Sequence, residues 1–378
     1  MKLHSKGIIV VADKLQDMGG GETVLAQICE ALQPELVFTS TVNDKHDWKK
    51  FLGVNKIVTP FWGRFVQNRF IWLLFYPVIC FLMSRIYITS KNSIFVYSSS
   101  ISKFAQVISD KRVVLYSNYP ARGVFFPAEF FKSKLVLFFV KPLAKLFSLF
   151  EEKNIKKYEN IYVISDACGD AYKRAVDVNT TVINCPIDES FYNYYEQSEK
   201  IIYSKRLLKF EKPVFVMASR LVDWKNLDYV LEYFNGQDKY ALNIIGGGPL
   251  FNAYKNKYKN NCNFLGYLSA EEKIKIMDAS CGLVFPSVQE WSLVTIEANS
   301  LGLPVLGVKC GATKETQILY SEINSISTCV TYDVPTVNDL SNAMEKFMKT
   351  KWDSALIHNH STKFSPEIFH NKIINIMS

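Results

Sequence analysis

Short apolar runs recur along the chain, separated by glycine-bearing turns and by stretches of helical period. Ile8–Ala12 is the first run. Gly19-Gly20-Gly21 follows as a turn, and Glu22–Leu32 has helical periodicity that stops before Pro34. Leu36–Thr39, Ile94–Tyr97, Val113–Tyr116 and Ile161–Ile164 repeat the apolar run, with helical patterns between them. Strands alternating with helices predict a parallel sheet covered by helices on both faces. Asp188–Phe210 is charged and Tyr-rich, lacks a core pattern, and marks a linker. A second series follows, with strands at Val214–Ala218, Ala241–Ile245, Asn263–Leu265, Gly282–Phe285 and Pro304–Gly307. Its helices fall at Leu227–Phe234 and Ala270–Ala279. The expected fold class is α/β: two doubly wound domains, residues 1–190 and 205–360, facing across a cleft. Ser365-Pro366-Glu367 starts a last helix, with Ser as cap and Pro in the first turn. Residues 361–378 are therefore expected to return to the first domain. Ligands of such sheets bind outside the carboxyl ends of the strands.

Two stretches depart from this pattern. Phe70–Ser84 is apolar for fifteen residues, is interrupted by Pro77 and is flanked by Arg64, Arg69 and Arg85. Spanning a bilayer takes about 20 residues, so a buried helix or an in-plane membrane helix is expected instead. In Phe130–Phe150, Lys134, Lys141 and Lys145 fall on one helical face among Leu and Phe. Charge sharpens the picture. Lys49 to Lys145 holds fifteen Lys or Arg against Asp110 and Glu129, whereas the whole chain is only +8. A basic, aromatic segment implies a polyanionic partner, either an anionic membrane surface or nucleic acid, and the two helical stretches favour the membrane. The eight cysteines form no CxxC pair and the five histidines are scattered. Neither a metal cluster nor a disulfide framework is expected, and a reduced, cytoplasmic setting at the membrane's inner face fits. The N-terminus enters an apolar strand without a signal peptide.

Candidate chemistry concentrates in the second half. Ser219-Arg220 and Lys225-Asn226 lie between a strand and a helix. Two cations there suit a diphosphate leaving group, whose charge grows as its bond to the transferred group breaks. Gly246-Gly247-Gly248-Pro249 follows the next strand, where glycine lets backbone approach a ligand. Glu290 and Glu297 stand seven positions apart around a strand-to-helix turn, and carboxylates suit the hydroxyl pairs of a sugar or ribose. Ser292 and Leu293 open that helix, where free amides suit phosphate.

Taken together, these motifs resemble the retaining glycosyltransferases of family 4, which have the GT-B fold of two Rossmann-like domains. The family pattern is Ser-Arg, Lys-Asn, a Gly-x-Gly-Pro turn, Phe-Leu-Gly, Glu-x7-Glu-Ala and Gly-x-Pro-Val. It is met here by Ser219-Arg220, Lys225-Asn226, Gly246 to Pro249, Phe264-Leu265-Gly266, Glu290 to Glu297-Ala298, and Gly302-Leu303-Pro304-Val305. Gly19-Gly20-Gly21-Glu22-Thr23 is similar to the family's first-domain turn, which places Gly20 and Gly21 at the donor phosphate. Tyr97 to Ser100 with Lys103, and Leu115 to Arg122, resemble the O-antigen mannosyltransferase branch. Asn118 stands where that branch has His, and Trp291-Ser292 replaces the more usual Phe-Gly.

The resemblance implies that Arg220 and Lys225 hold the diphosphate, Glu290 the sugar and Glu297 the ribose. Gly247, Tyr267, Ser292 and Leu293 complete the donor site, and Asn118, Arg122 and Lys103 lie on the acceptor side. It implies a nucleotide-diphosphate-sugar donor, best read as GDP-mannose, and a polyprenyl-linked glycan acceptor in surface-polysaccharide synthesis. UDP- or dTDP-sugars remain alternatives. No Asp-x-Asp occurs in the chain, so no metal and no cofactor are expected, nor a nucleic-acid partner. A nucleotide-sugar epimerase and a non-catalytic membrane- or nucleic-acid-binding relative are the competing readings.

Overall fold

The computed structural model describes residues 1–16, 19–67, 75–98, 100–130, 133–197, 211–321 and 326–378. The chain divides into two compact units, one of Met1–Cys185 with Glu367–Ser378 and one of Pro186–Pro366.

The strands of the first unit are β1 Lys2–Ser5, β2 Ile9–Ala12, β3 Leu36–Thr39, β4 Ile57–Val58, β5 Tyr87–Ser90, β6 Ile94–Ser98, β7 Gln106–Ser109, β8 Val113–Ser117, β9 Asn160–Val163 and β10 Thr181–Val182. Seven form a parallel sheet in the order β10-β9-β8-β6-β2-β3-β4. The central strands β2 and β6 are buried along their whole length. That explains their continuous apolar runs, because a parallel sheet covered on both faces leaves no polar side. A second sheet, β1-β5-β7, was not visible in the hydrophobic pattern. Its strands carry exposed polar positions such as Lys2 and His4 beside few apolar ones, and only Ile88 reaches the core.

The second unit has one parallel sheet, built from β11 Val214–Ala218, β12 Ala241–Ile245, β13 Cys262–Gly266, β14 Leu283–Phe285, β15 Val305–Val308 and β16 Cys329–Tyr332, in the order β13-β12-β11-β14-β15-β16. Strand order reverses between β11 and β14 here, and between β2 and β6 in the first unit. Loops leaving the carboxyl ends of such neighbours diverge and open a crevice.

Two sequence expectations are corrected. The linker Asp188–Phe210 is helical over Glu189–Gln197, with Phe191 and Tyr195 buried and Tyr195 stacked on His358 at 3.7 Å. The remainder of that stretch lies outside the described residues. Pro77 does not interrupt a helix; it stands in the first turn of the helix Tyr76–Met83, where its missing N–H costs nothing. Arg69 and the start of the Phe70–Ser84 run also lie outside the described residues. The helix Pro366–Met377 packs in the first unit: Phe369 meets Tyr116, and His370 Nε2 lies 3.0 Å from Gln27 Oε1.

Candidate active site

The loop after β11 is tied to its neighbours through backbone. Ser219 N donates to Ile245 O at 3.0 Å, Leu221 N to Gly247 O at 2.9 Å, and Gly246 N to Gly266 O at 2.7 Å. Gly246 and Gly248 have φ of +115° and +152°, and a Cβ on either would stand 2.2 Å from Ser219 O or 2.4 Å from Leu221 O. These glycines are therefore required by the approach of protein backbone, where the sequence suggested a ligand. A Cβ on Gly247 would strike the ring of Tyr267, which lies exposed over it.

Arg220 is exposed and has no ion pair among the described residues. Lys225, half-buried, sits 4.4 Å over the Trp224 ring, and its Nζ donates to Gln289 Oε1. Ser287 Oγ donates to Lys225 O at 3.1 Å, fastening the loops after β11 and β14 together. The residue brought to Lys225 is thus Gln289, one position before the expected Glu290. Spacing explains the difference. Seven residues separate Gln289 from Glu297, whereas only six separate Glu290 from Glu297. Glu290 itself is half-buried.

Ser292 caps the helix Leu293–Ser300 without a side-chain bond to it, so the first-turn amides from Leu293 onward keep their donors for another acceptor. Trp291 is buried edge-on against Phe364 at 5.5 Å, so the unusual Trp packs beneath the site. Glu297 is buried, and its Oε2 accepts from Lys273 Nζ at 2.6 Å. Lys273 belongs to the helix Ala270–Asp278, whose capping box joins Ser269 to Glu272. The sequence reading missed Lys273, because nothing local links it to a residue twenty-four positions on.

In the first unit the loops after β2 and β6 meet at Asp13. Its Oδ1 accepts from Ile101 N at 2.8 Å and Ser102 N at 2.6 Å, and its Oδ2 from Ser100 Oγ at 3.1 Å. Gly20 and Gly21 begin the helix Gly20–Leu32, so their amides open its N-terminus. A cavity of about 70 Å³ beside them is lined by Asp13, Lys14, Gly21, Glu22, Tyr97 and Asn118. Asn118 Nδ2 donates to Tyr97 Oη at 3.4 Å, and its buried Oδ1 has no hydrogen-bond partner among the described residues. The Arg122 guanidinium stacks 4.3 Å over Tyr119.

Lys103 is a correction. It is completely buried, with Nζ 2.6 Å from Glu151 Oε1, so it cannot touch an acceptor from solvent. Burial depresses its ammonium, but the Glu151 carboxylate outweighs this and holds its pKa above the ordinary value. Glu151 also accepts from Ala121 N at 3.1 Å, so the pair anchors the turn that carries Arg122.

Among the described residues no group of His, Cys, Asp and Glu could hold a metal ion, and no helix is long and apolar enough to cross a membrane. All eight cysteines are buried and unbridged.

Two parallel sheets, each with its functional loops at a strand-order reversal, define the GT-B fold of glycosyltransferases. Residues 199–363, most of the second unit, match the family of glycosyl transferases group 1. No curated protein sequence matches the chain. Among solved structures, HepE of Anabaena in complex with UDP is similar at 15% identity and a TM-score of 0.64, covering 98% of this chain and 99% of that one. Sucrose-phosphate synthase of Thermosynechococcus elongatus is similar at 14% identity and a TM-score of 0.65, with 98% of each chain covered. The lipopolysaccharide outer core galactosyltransferase WaaB is similar at 14% identity and a TM-score of 0.58, covering 100% of this chain and 99% of that one.

Proposed function

We propose that the chain transfers a sugar, with retention of configuration, from a nucleotide-diphosphate-sugar to a lipid-linked glycan at an anionic membrane surface. The observation that supports the transfer is the bond between Lys225 and Gln289 on loops flanking one strand-order reversal, with Arg220 on the same loop as Lys225 and the helix Leu293–Ser300 opening four positions after Gln289. The two cations neutralise the departing diphosphate, and the helix N-terminus adds its dipole. No divalent ion is required for that charge. The acceptor hydroxyl attacks the anomeric carbon from the face the diphosphate leaves. As the new C–O bond forms and the old one breaks, the hydroxyl proton passes to the leaving phosphate oxygen. Gln289 binds sugar hydroxyls, Tyr267 and Gly247 flank the donor, and Glu297 holds the ribose. Asn118 and Arg122 serve the acceptor, and the amides of Gly20 and Gly21 serve the donor phosphate. The donor is GDP-mannose on the branch resemblance; UDP-glucose is the second reading, favoured by the complexes of HepE with UDP and UDP-glucose.

Thermal shift with GDP, UDP and dTDP identifies the base, since only a nucleotide that binds the folded state raises its melting temperature. With that donor, Lys225→Ala is expected to lower turnover by about 100-fold. Turnover close to that of the unchanged protein would remove the assignment.

A further inference from the structure

Glu297 makes a contact that no motif accounts for. Glu297 is buried on the helix Leu293–Ser300, and a buried carboxylate without a partner is costly. Lys273 supplies the partner at 2.6 Å through Oε2. Lys273 is itself placed: its Nζ stands 4.9 Å over the ring of buried Phe191, from the helix Glu189–Gln197. Only about a quarter of its side chain is exposed, at 23%. Three helices thus fix one ammonium against one carboxylate oxygen. Oε1 of Glu297 has no bond to a described residue.

We infer that Lys273 is a positioning residue for nucleotide recognition: it commits Oε2 of Glu297 and presents Oε1 alone to the ribose hydroxyls. This rests on the reading of Glu297 as the ribose ligand. A carboxylate fixed by a charge-assisted bond pays little ordering entropy when it accepts from a hydroxyl. The fixed acceptor makes the site select ribonucleotides over analogues that lack a ribose hydroxyl, because the missing hydroxyl leaves Oε1 buried and unpaired. Phe191 contributes by packing its ring against the ammonium that holds Glu297.

Calorimetric titration of the full chain with GDP, UDP and their 3′-deoxy and 2′-deoxy counterparts tests this, alongside Lys273→Met, Lys273→Arg and Glu297→Ala. For the nucleotide that binds, Lys273→Met should weaken the ribonucleotide about tenfold and leave the deoxy analogue that binds worst nearly unchanged. The ratio between the two should collapse, and Lys273→Arg should restore it. A structural role alone would weaken both nucleotides equally, which overturns the inference, as does full discrimination in Lys273→Met. Glu297→Ala separates the two readings. If it keeps both affinity and discrimination, Glu297 is not the ribose ligand and the underlying assignment fails. If it loses discrimination while Lys273→Met keeps it, only the role of Lys273 fails. Melting each variant without nucleotide identifies any that do not fold, and Lys273→Arg then carries the comparison.

Discussion

Gln289 and Glu290 differ in what the backbone does with them. Gln289 O accepts from Ala312 N at 2.9 Å and its side chain turns to Lys225, so both ends of the residue are held at the switch point. Its amide keeps two N–H donors, where a carboxylate would offer only acceptors. Turnover should therefore fall by about tenfold in Gln289→Ala and change little in Glu290→Ala. Steady-state kinetics of the two variants with one donor checks it, and the reverse order would return the sugar contact to Glu290. Arg220, Lys225, Ser292 and Leu293 were legible because local strand-turn-helix patterns fix where they stand. The bond of Lys225 to Gln289 was not, because no local pattern says which of the neighbours Gln289 and Glu290 turns to Lys225. Lys273 and the burial of Lys103 were illegible for a different reason: each depends on a partner far along the chain.

The helix Lys134–Ile155 shows what an element adds. Ala144, Glu151, Asn154 and Ile155 face the protein, while Leu135, Phe138, Phe139, Leu143, Leu146 and Leu149 are all more than 60% exposed. Lys134, Lys141 and Lys145 are exposed along the border of that apolar stripe. An apolar face of this size turned to water, edged by ammonium groups, suits the interface of an anionic bilayer. Periodicity alone grouped the lysines but could not say which side of the helix the protein covers. Flotation with vesicles containing phosphatidylglycerol is expected to carry the protein up, and purely zwitterionic vesicles to carry less. Replacing Phe138, Leu146 and Leu149 with Ser should abolish flotation while leaving nucleotide binding intact. Flotation unchanged by those replacements would exclude this face.

For the whole molecule, the alternation of strands and helices was enough to place two doubly wound sheets, and the candidate residues of each lie on loops at its strand-order reversal. The helix Glu189–Gln197 escaped because its apolar positions are tyrosines and a single Phe, which read as polar in a short window. Its stacking partner lies near the end of the second unit, where a pH dependence is expected. His360 Nε2 lies 2.9 Å from Thr316 O, and burial holds the imidazole below its ordinary pKa of 6.5. As pH falls through 6.5 the unfolded chain takes up that proton first, so stability present above this pH is lost below it. Urea denaturation at about pH 7.5 and 5.5 should show a larger loss in the unchanged protein than in His360→Gln. Equal losses would refute it.

Glu151 gives the long helix a second consequence. One side of that helix presents its greasy stripe outward; from the other, a sealed carboxylate grips Lys103 and the Ala121 amide, one residue before Arg122. Such an arrangement works as a lever with its fulcrum inside the protein. Anything that tilts the helix would pull on the turn holding Arg122, so a surface gripping the outer stripe would be felt at that guanidinium.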